Sequence, residues 1–252
     1  LLEDQYRQAK EMAERFAAEA GVPLFYREGE EAVGMSRRLL SSDSMAREAV
    51  RIISGQEDPL GHGLLHVQKV AVDAGAIVLL EGARMWNESG LKRVTLLVHL
   101  AGILHDIRRT ERQHAQRGAE EAERILGGFA LQAAERQAIT QAIRNHEAFQ
   151  PHEELDDPAA RLISNALYDA DKFRWGPDNF TETLWAMLLP RRISLQVLLP
   201  RFLPGLESLQ RIRETFRTQT GRCYGPDFID RGLIIGERLY TALVELDGSK
   251  TP

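Results

Sequence analysis

Cysteine is almost absent from this 252-residue chain: Cys223 stands alone and cannot close an internal disulfide. A lone thiol fits a reducing, cytoplasmic setting rather than a disulfide-stapled secreted one. Long apolar runs are missing too. The longest, Val94 to Leu104, is interrupted by Thr95, His99 and Gly102 and falls short of the roughly 20 residues a bilayer needs. The first residues, Leu1-Leu2-Glu3-Asp4-Gln5, lack the basic and apolar regions of a signal peptide. An initiator methionine is also lacking, which implies a trimmed chain or a fragment. No basic excess exists: the net charge is −5. Charge therefore does not call for a nucleic-acid partner, and no face interleaves aromatic with basic residues. Strand signals are absent as well. No alternation persists, and the only Asp-Gly pair, Asp247-Gly248, lies in the tail.

What is present reads as helix. Hydrophobic residues make up 43% and charged residues 27%, the ordinary globular range, and the length allows a substantial core. Tyr6, Ala9, Ala13, Phe16 and Ala17 recur at helical spacing in a first helix over 3–20, closed by Gly21 and Pro23. After a short turn come helices over 30–40 and 44–53, the second capped by Ser42 or Asp43. A breaker-rich loop spans Gly55 to Gly61. The next helix begins at His62 or Leu64 and runs to Glu81, with Leu65, Val70, Ala74, Ile77 and Val78 as core residues. Past an Asn87–Gly90 turn lies an apolar helix over 91–105. Further helices are predicted over 112–126, 131–146, 159–170, 181–188, 206–218 and 228–246. Pro200 and Pro204 make the segment 193–206 a bent helix-loop pair. The fold class is all-α, a single domain of about ten helices.

The chemistry centres on His105-Asp106, a nitrogen and a hard-oxygen donor side by side at the end of the apolar helix. His66 precedes the pair in His66-Val67-Gln68-Lys69-Val70, and Asp171 follows in Asp169-Ala170-Asp171-Lys172-Phe173. Two histidines and two carboxylates from three helices make a mixed set suited to Mn, Mg, Fe, Co, Ni or Zn. Other histidines read differently. His99 is six residues from His105 on another helical face, a core group. His152 sits in an exposed proline-bounded loop, and His62 in the loop four residues before His66. Arg108 and Arg109 stand within a turn of the pair, where a guanidinium fork suits a phosphate.

The ordered pattern of H-x-x-K-V, an apolar helix ending in HD, and D-A-D-K resembles the HD superfamily of metal-dependent phosphohydrolases. The resemblance covers about residues 58–174. It implies an HD-domain-like helical bundle over about 58–175, with N-terminal helices in 1–57 and a C-terminal helical cap in 176–252. It implies His66, His105, Asp106 and Asp171 as ligands of one divalent ion, with Lys69 and Lys172 nearby. His114, in an H-x-x-x-G-A element, and His146, after Asn145, match positions that supply a second ion in two-metal members. Two features depart from the family. No GYP sequence follows Asn145-His146, and the glutamate that the nucleotidase branch carries three residues after HD is Arg109 here.

The function this implies is hydrolysis of a phosphate ester of a small molecule, a nucleotide, by metal-activated water. Asp106, Lys172, Arg108 and Arg109 are the expected catalytic group, with Glu111, Glu147 or Asp169 as acid or base. The alternative is a regulatory helical protein that binds a metal or nucleotide without turnover. A small phosphorylated substrate is expected as partner, and neither nucleic acid nor membrane. The C-terminal helices are expected to cap the cleft or to form a homodimer.

Overall fold

The computed structural model describes residues 2–55 and 63–248, and the fold is all-α. Among the described residues there are twelve α-helices, one π-helical turn and no strand. His62, most of the 55–61 loop and the start of the family-like segment at Asp58 lie outside the described residues. No described helix is long and apolar enough to cross a membrane.

Four helices open the chain: α1 (Leu2–Ala20), α2 (Leu24–Glu28), α3 (Glu30–Ser42) and α4 (Ser44–Ser54). The α1 residues Tyr6, Ala9, Ala13 and Phe16 are buried, as their spacing requires of an amphipathic helix. The short turn expected after α1 is instead the single turn of helix α2. Asp43 caps α4, accepting from the backbone N–H of Met45 and Ala46 at 2.8 and 3.0 Å.

The centre of the fold is the pair α5 (Leu64–Gly82) and α6 (Glu88–Leu104), both buried nearly all round. Gly102 meets Ala71, Gly75 meets His99 and Gly82 meets Leu91, an order that makes the two helices antiparallel. Leu65, expected in the core, is 58% exposed. Its neighbours His66 and Val67 take the inward face of that first turn. The residues 87–90, expected as a turn, start α6, because the Asn87 side chain accepts from Gly90 N–H at 2.9 Å. Helices α7 (His114–Leu126), α8 (Ala133–Arg144) and α9 (Pro158–Phe173) complete the middle of the chain.

Beyond Phe173 the π-helical turn Asn179–Thr183 leads into α10 (Leu184–Leu188), followed by α11 (Leu195–Ile212) and α12 (Gln219–Asp247). Helix α11 overturns the expected bent helix-loop pair. Pro200 and Pro204 lie four residues apart on its exposed side, so the carbonyls they leave without an N–H partner face water. Leu195, Leu198, Phe202, Leu206 and Leu209 on the opposite side are buried and hold it against the core as one continuous helix. The predicted helix over 206–218 accordingly stops at Ile212. Helix α12 starts at Gln219, well before the expected 228, because Thr218 caps it and Asp169 accepts from Arg217 N–H and Thr218 N–H, each at 2.8 Å.

Candidate metal centre

Five helix ends converge at one end of the bundle. The starts of α5 and α7 bring His66 and His114, while the ends of α6, α8 and α9 bring His105-Asp106, His146 and Asp171. All except His114 are buried. His66 Nε2 lies 3.4 Å from His105 Nε2, 3.4 Å from Asp171 Oδ1 and 3.9 Å from Asp106 Oδ2. His105 Nε2 lies 3.5 Å from Asp106 Oδ2 and 3.7 Å from Asp171 Oδ1. With metal–ligand bonds of roughly 2.1 Å, donors stand about 3.0 Å apart at right angles, about 3.4 Å at the tetrahedral angle and about 4.2 Å when opposite. The measured separations fall inside those limits. The buried His and Asp groups are thus arranged so that they could hold a metal ion.

The tautomers fit as well. His105 Nδ1 donates to the Gly102 carbonyl at 2.8 Å, and His146 Nδ1 to the Ile143 carbonyl at 2.6 Å. Each bond turns back to the last turn of the preceding helix and leaves Nε2 facing the cluster, the orientation usual for ligating histidines. Burial alone would push His105 down, but the Asp106 and Asp171 carboxylates outweigh it and raise the imidazole to about 10. Burial also favours protonating Asp171, yet Lys172 and the two histidines hold it well below the usual carboxylate range. His66 is lowered, mainly by burial. The carboxylates therefore carry the negative charge and hold a proton on His105 Nε2, which a bound cation would displace.

Asp106 faces two ways. Its Oδ2 looks to His66 and His105, and its Oδ1 lies 3.5 Å from His146 Nε2 and 3.8 Å from His114 Nε2. A second grouping, His105, Asp106 and His146, also has donors close enough for an ion. Both groupings draw on the one His105 Nε2 lone pair, which can serve only one ion. A second ion would need His114 instead. There the Arg109 guanidinium donates to Nε2 at 2.7 Å, while Nδ1 lies 2.8 Å from Glu147 Oε1. Burial, then Arg109 and His146, lower His114 to about 4 and keep it neutral, able to accept from Arg109.

The basic residues divide. Arg109 lines the cavities on both sides of the cluster. Arg108 points away to Glu111 and Glu121, at 3.5 and 3.3 Å, and touches neither cavity. Lys172 Nζ spends two donors on Asp171 Oδ2 at 2.5 Å and the His146 carbonyl at 2.9 Å. It also lines the side cavity with Asp106, Arg109 and Glu147, and holds Asp171 in place. Lys69 is drawn off to Asp178 and Glu182, at 3.2 and 2.6 Å.

The acid–base candidates divide too. Glu111 pairs with Arg108 and Arg117 on the surface. Asp169 is committed to Arg217 N–H, Thr218 N–H and the Thr218 hydroxyl. Only Glu147 borders a cavity that touches Asp106. His99 is the core group expected: Ser36 Oγ donates to the Val72 carbonyl at 2.7 Å and therefore accepts from His99 Nε2–H at 2.9 Å. His152 is exposed.

The sequence reading passed over Asp73, buried in α5 against Arg174 Nη2 at 2.5 Å, with Tyr26 donating to the same carboxylate oxygen. A single carboxylate amid Val72, Ala74 and Gly75 was the available signal. The α10 and α11 side chains beside the cluster carried none. No family model, curated protein or solved structure matches the chain.

Proposed function

We propose that the protein is a divalent-metal-dependent phosphohydrolase of the HD type, acting on a phosphate ester of a small molecule. The observation that supports this most is the convergence of His66, His105, Asp106 and Asp171 from three helix ends, with the two imidazole Nε2 atoms 3.4 Å apart and each 3.4–3.9 Å from both carboxylates. A divalent ion bound there supplies charge to the phosphate oxygens and lowers the pKa of water. The remaining work falls to the chain. Arg109 turns from His114 toward the phosphoryl oxygens and holds them by a charge-assisted fork. That turn frees His114 Nε2, whose Nδ1–H is held by Glu147 at 2.8 Å. The His114–Glu147 pair then carries a proton between the cavity and the carboxylate. Lys172 keeps Asp171 ionised and in place.

Element analysis of metal-replete protein, with a panel of phosphomonoesters, phosphodiesters and nucleoside triphosphates plus Mn, Mg, Co or Ni, tests this reading. Metal binding and turnover that vanish in Asp106→Asn and His66→Ala but persist in the surface control Glu14→Gln support it. Metal bound with no ester hydrolysed points to a regulatory metal-binding protein, and no metal bound refutes both.

A further inference from the structure

A cavity of about 340 Å³ opens from the cluster, with His66, Asp171 and Arg109 on its floor. Its walls come from the C-terminal part of the chain, outside every family-like motif. Phe180, Leu184, Met187, Leu198, Phe202 and Leu206 line it, from the π-helical turn, α10 and α11. None of these six side chains donates a hydrogen bond, and only the Met187 thioether is a weak acceptor. Leu184 and Met187 are only half-buried, so their apolar surface faces open space.

The polar wall residues offer little. Arg174 commits its two terminal nitrogens to Asp178, Asp73 and Tyr26. Ser208 donates to the Pro204 carbonyl. Asn179, Thr183 and the Trp175 indole N–H remain, with the exposed Arg201. A ribose diol and a base edge would lose more hydrogen bonds to water than these groups return, and buried polar groups left unpaired weaken binding.

We infer that the cavity takes the organic part of a phosphate ester of an apolar alcohol, alkyl or aryl, rather than a nucleoside. This rests on the phosphohydrolase reading. In that reaction the oxygen of water bonds phosphorus as the ester P–O bond breaks. One proton of the water passes to the departing alkoxide to give the alcohol, and the other stays on the phosphate product as hydrogen phosphate.

The test uses the metal-loaded protein and two readouts. Calorimetric titration with ethyl-, butyl- and hexylphosphonate, which cannot be hydrolysed, reads the cavity alone. Affinity is expected to rise by up to about fourfold per added methylene, with ribose 5-phosphate at least tenfold weaker than hexylphosphonate. Met187→Gln and Leu184→Gln should flatten the chain-length dependence. Hydrolysis of hexyl phosphate, phenyl phosphate, ribose 5-phosphate and AMP is the second readout. Affinity independent of chain length, or AMP and ribose 5-phosphate cleaved as efficiently as hexyl phosphate, overturns the apolar cavity while leaving the phosphohydrolase standing. Length-dependent phosphonate binding without hydrolysis of any ester keeps the cavity assignment and overturns the catalytic reading.

Discussion

Gly102→Ala is the sharpest test of how the fold sets the metal geometry. A Cβ at Gly102 would stand 2.7 Å from Ala71 Cα and 2.9 Å from Ala71 N, both on the facing helix α5. Ordinary contact begins at 3.4 Å, and 3.4 − 2.7 gives a gap that must widen by 0.7 Å. His66 is five residues from Ala71, and His105 is three from Gly102, so the two candidate ligands ride on the helices being parted. The His66–His105 separation of 3.4 Å would grow toward the roughly 4.2 Å reached only by opposed ligands. We expect metal affinity to fall roughly 10–100-fold, the range seen when ligand support is disturbed. Overpacking costs about 1–3 kcal/mol, offset by up to about 1 kcal/mol of helix propensity. At about 2–4 °C per kcal/mol, Tm should fall by a few degrees. Gly205→Ala is the control: nothing lies within 4 Å of its added Cβ, so it should stabilise by about 0.5–1 kcal/mol. Calorimetric titration of the apo variants with Mn or Zn, beside thermal unfolding, reads both effects. Wild-type metal affinity in Gly102→Ala would refute the claim that the α5–α6 contact sets the centre.

Three further outcomes follow from buried charge. Asp73→Ala leaves the Arg174 guanidinium, 5% exposed, short of its main carboxylate. Urea unfolding should show a loss of about 3–5 kcal/mol, partly recovered in Asp73→Ala/Arg174→Met; no recovery in the double variant would count against a charge origin. His99 is lowered by burial from 6.5 to about 3, so below about pH 6.5 the unfolded chain binds a proton that the folded one refuses. Its contribution is complete above pH 7 and declines by about 1.4 kcal/mol per pH unit as pH falls toward 3. In His99→Gln the acid slope of stability between pH 6 and 4 should flatten by one proton, and an unaltered slope contradicts the assignment. Asp169→Ala strips the acceptor from two backbone N–H groups at the start of α12, and should lower stability by about 2–3 kcal/mol with metal affinity kept; the reverse pattern would return Asp169 to the active centre.

The sequence by itself determined the class of the fold and picked out the residues of the candidate metal site. Three- and four-residue spacing is a local property, so α1 and the central helix could be read directly, and missing alternation excluded strands. His66, His105, Asp106 and Asp171 were legible because donor chemistry and order along the chain are written residue by residue. Tertiary structure decided the rest. Pro200 and Pro204 argue locally for a break, and only the buried face of α11 keeps that helix whole. Arg108 and Arg109 are adjacent and chemically identical, yet Glu111 and Glu121 draw one to the surface while His114 draws the other to the cluster. Asp169 and Asp171 are likewise two residues apart; one caps α12 and the other faces the histidines. Those outcomes depend on which distant groups arrive beside a side chain, and packing alone fixes that. The same holds for the apolar walls from α10 and α11: leucines at helical spacing look like any core until the His/Asp cluster is found at their foot.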